Sequence, residues 1–259
     1  MSFVFNIPFH GNTKLKHVLK EIKADKKLQT FWRCANVMAI ERMGFNDHGP
    51  THVKIVANLS LKLLRMLADY KVQPSIVKNY GMKSEDAEVV VVLGSIFHDL
   101  GMVVTRIDHE KYSVLLSLEF IERCLATIYT QEERAIICSE VLHAIVSHEE
   151  RNKPLTLEAG IVCVADALDM EYGRARIPFE AGKVDIHAIS ALSIEKVEII
   201  EGEKKPITIK ITMSNSAGIF QIDELLKPRI EMSGLKQYTH VVAEITGEKE
   251  RKIVDRFEI

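Results

Sequence analysis

The sequence predicts a mainly α-helical fold: a helical bundle over residues 1–189, followed by a small α+β domain in ββαβ order over residues 190–259. Three observations carry this. Apolar residues recur at helical spacing through the first two-thirds of the chain. Helix-start signals punctuate that stretch, among them the capping box Thr130-Gln131-Glu132-Glu133. After about Ile189 the pattern changes to short β-branched runs separated by turn residues.

Element by element, Lys14 to Arg33 carries seven Lys/Arg against Glu21 and Asp25, with Leu15, Val18, Leu19 and Ile22 on one side. It reads as one amphipathic helix with a solvated basic face. Pro50 to Tyr70 is apolar on most faces and predicts a central buried helix, with Pro50 suited to its first turn. After the loop containing Pro74 and Gly81, Ser84 is the expected N-cap of a helix ending at His98-Asp99. Asp108 to Tyr129 predicts a helix whose core contacts come from Leu115, Leu116, Leu118, Phe120, Ile121, Leu125 and Ile128. The helix opened by Thr130 reaches His148. The next, opened by Pro154 and Thr156, runs through Asp166 and closes at Gly173. Strands are expected at Ile194–Ile200, Ile207–Met213 and His240–Ile245, with a helix over Ile219–Met232 and a short strand in the tail.

With 259 residues, 47% hydrophobic, 27% charged and a net charge of −2, the chain has an ordinary globular composition. Nothing in that balance draws it toward nucleic acid or an anionic membrane. The start lacks a basic segment followed by an apolar one, and the longest apolar run, Val89–Phe97, is too short to span a bilayer. A cytoplasmic location is expected. Cys34, Cys124, Cys138 and Cys163 form no Cys-x-x-Cys and read as buried small hydrophobes in a reducing compartment.

The chemistry concentrates at His98-Asp99, a carboxylate and an imidazole ending a run that otherwise reads as core. Burying an ionised carboxylate costs several kcal/mol unless it is paired or ligates a metal. Four further candidates sit on helices or at their ends: His52, His109, His148 and Asp166. Imidazole with carboxylate suits Mn, Fe, Co, Ni, Zn or Mg. Asp169, three residues after Asp166, is placed to support a ligating histidine. His143, five residues before His148, points away from the same metal and reads as core, while His48 is left open as ligand or substrate contact. Arg174 and Arg176 follow the Asp166 helix and suit bidentate phosphate contacts, with Arg106 and Lys111 as further cations near His109.

In this order the residues resemble the HD superfamily of metal-dependent phosphohydrolases, whose signature is His…His-Asp…Asp on a helical bundle. The resemblance covers roughly residues 45–180 and falls on His52, His98-Asp99 within Phe-His-Asp-Leu-Gly, and Asp166 within Val-Ala-Asp-Ala-Leu-Asp. It implies that these four bind a first divalent ion, that Asp99 bridges to a second where one is present, and that His109 and His148 match the extra histidines of two-metal members. Arg106-Ile107-Asp108-His109, Ser147-His148 and Ala165-Asp166-Ala167-Leu168 also look like the HD region of ribonuclease Y. The chain departs from HD-GYP phosphodiesterases: Ser147-His148-Glu149 stands where they have adjacent histidines, and Arg151-Asn152-Lys153-Pro154-Leu155 replaces their Gly-Tyr-Pro element.

The expected activity is hydrolysis of a phosphate ester by metal-bound hydroxide, with one or two ions per chain and with Asp99, His98, Arg174 and Arg176 as catalytic residues. A nucleotide or other small phosphorylated molecule is the favoured substrate, because no chain-wide basic surface would hold a long nucleic acid. A ribonuclease Y-like nucleic-acid phosphodiesterase and a metal- or nucleotide-binding regulatory module are the alternatives. The C-terminal domain is left open as dimer interface, cover over the site or effector site.

Overall fold

Asp25 divides the basic N-terminal segment into two helices rather than the single one expected. Its backbone N–H closes α1 (Thr13–Ala24) on Ile22 O, and its carboxylate accepts the Leu28 N–H at 2.9 Å to start α2 (Lys26–Asn36). The computed structural model describes residues 5–171, 190–246 and 256–258. Within them α2 continues into a π-helical turn, Val37–Arg42. There follow α3 (Pro50–Asp69), α4 (Ser75–Tyr80), α5 (Ser84–Phe97), a 3-10 turn (Leu100–Val103), α6 (His109–Leu125), α7 (Gln131–Val146) and α8 (Leu157–Leu168). The basic face is partly paired, Lys14 with Asp86 and Lys27 with Glu119, while Asp25 takes Arg123 of the later helix over His109–Leu125.

α5 is the hub. Val89 through Phe97 are all fully buried, because the helix is apolar all round and packs among α1, α3, α7 and α8. It starts one residue earlier than expected. Lys83 occupies the cap position, Ser84 is already helical, and Asp86 accepts the Lys83 N–H at 2.9 Å. α7 begins at the anticipated capping box but ends at Val146, leaving His148 beyond the helix. α8 likewise ends at Leu168, with Asp169 at its C-cap, so Gly173, which lies outside the described residues, does not terminate it.

Two core assignments are corrected. Leu115 and Leu118 are exposed, because α6 buries the stripe of Ser113, Ser117, Phe120, Ile121 and Cys124, whose small members let it lie close to its neighbours. Cys34 is exposed on α2, while Cys124, Cys138 and Cys163 are buried thiols.

The C-terminal part forms a sheet in the order β1 (Ile194–Glu201), β2 (Ile207–Met213), β3 (Thr239–Ile245), β4 (Arg256–Glu258). β1 and β2 are antiparallel, β2 and β3 parallel, and β3 and β4 antiparallel. A parallel pair needs a crossover, supplied here by a continuous helical segment over residues 219–232, α9, whose middle turn is π-helical. Its Ile222, Leu226 and Ile230 recur every fourth residue and are buried. Alternate β2 residues Ile207, Ile209, Ile211 and Met213 face inward and join the same contiguous apolar cluster as the helices. The expected boundary at 189/190 falls at the edge of residues 172–189, outside the described residues.

One glycine sets how α9 docks. A Cβ on Gly160 of α8 would lie 2.2 Å from the Ser233 carbonyl, so only glycine admits the end of α9 so close. Among the described residues no helix is long and apolar enough to cross a membrane.

Candidate metal centre

Five separate helix ends converge on one point. Asp47 accepts the backbone N–H of Gly49 at 2.8 Å and of His52 at 3.4 Å, shaping the turn that opens α3 and carries His52. His98 caps α5, and Asp99 follows with a backbone that leaves the helix for the 3-10 turn. His109 is the first residue of α6, after Asp108 in the left-handed region (φ 57°). Gly101 allows that junction: a Cβ there would sit 2.0 Å from the His109 carbonyl oxygen. His148 comes just after α7, and Asp166 projects from the last turn of α8. All but Asp166, which is partly buried, are at most 4% exposed.

The distances show two linked clusters. Asp99 Oδ2 lies 3.2 Å from His52 Nε2 and 3.3 Å from His98 Nε2, with Asp166 Oδ1 at 3.2 and 3.5 Å from the same nitrogens. Asp99 Oδ1 instead faces His109 Nε2 at 3.0 Å and His148 Nε2 at 3.7 Å. Each imidazole pair brings its Nε2 atoms to 3.0 Å.

These residues fit divalent metal. His52 Nδ1 donates to the Asp169 carboxylate at 2.6 Å, His98 Nδ1 to the Ser95 carbonyl at 2.8 Å, and His148 Nδ1 to the Ile145 carbonyl at 2.6 Å. A carbonyl or carboxylate only accepts, so these three Nδ1 atoms carry protons and each ring turns its Nε2, the atom that can ligate, inward. Two Nε2 atoms 3.0 Å apart need a shared proton or a metal ion between them, since two bare lone pairs at that distance repel. Cis ligands about 2.1 Å from one ion stand about 3 Å apart, the separation found here. His109 Nδ1 lies 3.1 Å from the Arg106 carbonyl and 3.0 Å from its guanidinium, so its tautomer follows its protonation.

The electrostatics are those of a site built around positive charge. Burial opposes protonation of His98, yet Asp99 and Asp166 carry its pKa up to about 9. Burial and the neighbouring His98 and His109 push His148 down to about 3. Despite burial, which works the other way, Asp99 is held well below the usual carboxylate range by His98 and the surrounding histidines, and Asp166 by His52, His98 and Arg229.

Of the other sequence candidates, Asp169 contacts His52 as described. His48 is buried at the cavity edge, its ring 5.9 Å from that of His52 and its Nδ1 donating to Asn46 O. His143 is turned away, its Nε2 accepting the Leu155 N–H at 2.9 Å and ordering the α7–α8 loop. Arg106 lines the cavity and pairs with Glu149 at 3.1 Å, while the exposed Lys111 pairs with Asp108. Arg174 and Arg176 lie outside the described residues.

Two neighbours were not anticipated as part of the site. Glu149 Oε1 is 3.7 Å from His109 Nε2. Arg229, on α9, donates from Nη1 to Asp166 Oδ2 at 3.0 Å and also to the His148 carbonyl. With Gln221 and Leu225 from the same helix, Arg229 helps wall a cavity of about 210 Å³ above the metal-type residues. Nothing local in Lys227-Pro228-Arg229 distinguishes that arginine from a solvated one.

A helical bundle that gathers four imidazoles and two carboxylates at the floor of a cavity defines a candidate metal-binding centre. Residues 51–171 match the HD domain, consistent with an HD superfamily domain over that part of the chain. It is 46% identical over 234 residues to an uncharacterized protein of Methanocaldococcus jannaschii, with 90% of each chain covered. No solved structure matches the chain.

Proposed function

We propose that the protein hydrolyses a phosphate ester of a nucleotide or another small phosphorylated molecule, using divalent metal. The observation that carries this reading is the division of Asp99 between two histidine pairs, Oδ2 toward His52 and His98 and Oδ1 toward His109 and His148. A divalent ion bound by these groups lowers the pKa of water toward neutrality and draws charge from phosphoryl oxygens.

The chain's own residues do the rest. Asp169, Ser95 O and Ile145 O fix three imidazole orientations, so the nitrogens need no rearrangement on loading. Arg106, at the cavity wall, carries a forked cation suited to phosphate oxygens, and Glu149 holds it in place. The cavity of about 210 Å³ supports a small substrate over a polynucleotide. Arg174 and Arg176 remain proposed phosphate contacts, following α8 in sequence.

The test is elemental analysis of the purified protein followed by a screen of phosphorylated metabolites with added Mn, Co, Ni, Zn or Mg. Bound metal and turnover of a small phosphoester are expected. Cleavage of single-stranded RNA with no turnover of small phosphoesters would replace this reading with the nucleic-acid one. Bound metal with no turnover of either would replace it with a binding module.

A further inference from the structure

We infer that the C-terminal domain is a working part of the metal centre, with Arg229 as the positioning residue that aims Asp166. The inference rests on the metal-site reading above and goes beyond it, because Arg229 lies outside the matched region, residues 51–171.

The geometry is specific. Asp166 has two oxygens with different tasks: Oδ1 faces His52 Nε2 and His98 Nε2, and Oδ2 takes the Arg229 guanidinium at 3.0 Å. Without a partner on Oδ2 the carboxylate could rotate about its Cβ–Cγ bond and present either oxygen, or both. An ionic hydrogen bond on one oxygen removes that freedom and keeps the group ionised. The same Nη1 also donates to the carbonyl of His148. One nitrogen from α9 therefore ties a residue facing the His52–His98 pair to the segment that supplies His148 of the other pair.

The surroundings are built for this contact. The Arg229 side chain is 13% exposed, and its Nε is buried without a hydrogen-bond partner among the described residues. A guanidinium is rarely buried with an orphan donor, and here the Asp166 carboxylate offsets that cost. Glu150 stands 4.0 Å from Nε and adds to the anionic surroundings. Gly160 lets the end of α9 press on α8, the helix that bears Asp166, and Ile222, Leu226 and Ile230 bury the adjoining stripe of α9. Gln221 and Leu225, above Arg229, wall the same cavity. Docking of the C-terminal domain and organisation of the metal site are thus one event.

The charge of Arg229 by itself repels a metal cation, so its net effect on affinity has a definite sign only if positioning outweighs repulsion. The inference is that it does. The test uses the full chain, stripped by chelation, with Mn(II) binding followed by calorimetry for wild type, Arg229→Gln, Arg229→Lys and Lys227→Ala, and with thermal unfolding of each metal-free protein. Removal of a group that orients a ligand loosens metal binding about 10–100-fold, and that loss is expected for Arg229→Gln. Arg229→Lys keeps a point charge without the fork and should recover part of it. Lys227→Ala, which loses only an exposed pair with Asp223, should bind as wild type does. Affinity in Arg229→Gln equal to or tighter than wild type overturns the inference while leaving the proposed function standing. Failure of the wild-type protein to bind Mn(II) or any other divalent ion overturns both. If Arg229→Gln does not fold, Arg229→Lys decides: unchanged affinity in that variant also overturns the inference.

Discussion

Asp169 accepts the Nδ1 proton of His52 at 2.6 Å, joining the residue that caps α8 to the first turn of α3. Both side chains are buried, so the contact is not shared with bulk water. Asp169→Ala should free the His52 ring to turn and to change tautomer, loosening metal binding about 10–100-fold. Asp169→Asn, which still accepts through its amide oxygen, should retain part of the affinity. Calorimetric titration with Mn(II) measures both, and equal affinity in all three proteins would remove Asp169 from the site.

Among the described residues, Asp99 is the one carboxylate that faces both histidine pairs. Asp99→Ala should therefore abolish metal content and phosphoester turnover together, whereas Asp166→Ala, which faces only the His52–His98 pair, should leave partial metal content. Elemental analysis per chain, alongside a chromogenic phosphoester assay, separates the two. Full activity of a metal-free Asp99→Ala protein would falsify the metal mechanism.

Gly101 fixes how near α6 comes to Asp99. An added methyl would meet the His109 carbonyl at 2.0 Å and the Ser113 nitrogen at 2.7 Å, and backbone atoms cannot step aside as a flexible side chain can. Gly101→Ala should cost about 1–3 kcal/mol of stability by overpacking. It should also displace His109 from Asp99 while leaving the His52–His98 pair in place. The expected readout is a lowered Tm with a fall in bound metal per chain, rather than its complete loss.

Opposite shifts in His98 and His148 predict the pH profile of the metal-free protein. His98, raised from 6.5 to about 9 against the effect of burial, keeps a proton that the unfolded chain releases, so its contribution is complete below 6.5 and is lost as pH rises through about 9. His148, lowered from 6.5 to about 3 by burial and its cationic neighbours, refuses a proton that the unfolded chain takes up, so stability falls as pH drops below 6.5. Asp99 and Asp166, depressed below 3.8 by their histidine partners despite burial, add to the acid loss below that value. Maximum stability in chelator is expected near pH 6.5. Saturating Mn(II) should flatten the alkaline side, because metal replaces the proton on His98. Melting curves across the range with and without metal measure this, and an alkaline slope equally steep in both would separate His98 from the metal.

How much was legible depended on whether a residue's role was written locally. His98-Asp99 stood out as polar residues ending an apolar helix, and His52, His109, His148 and Asp166 each sat on or next to a helix the sequence could delimit. The resemblance supplied their order, and the structure brings all six together. Arg229 had no such signal, since its partners Asp166 and His148 are 63 and 81 residues away in sequence. Helix ends were less legible than helices. Asp25 serves both α1 and α2, ending one and starting the next with no intervening loop residue, so no run of turn residues marked the break. Leu115 and Leu118 misled because composition favours leucine in a core, whereas α6 packs through its serines and Phe120.

The 63 residues between Asp166 and Arg229 also have a meaning in time. A ribosome adding about 5–20 residues per second needs about 3–13 s to get from one to the other. During that interval the His52, His98-Asp99, His109, His148 and Asp166 cluster has already been synthesised, but the guanidinium that restrains Asp166 has not. On the inference above, the metal site is therefore complete only once α9 has been made and has docked on α8.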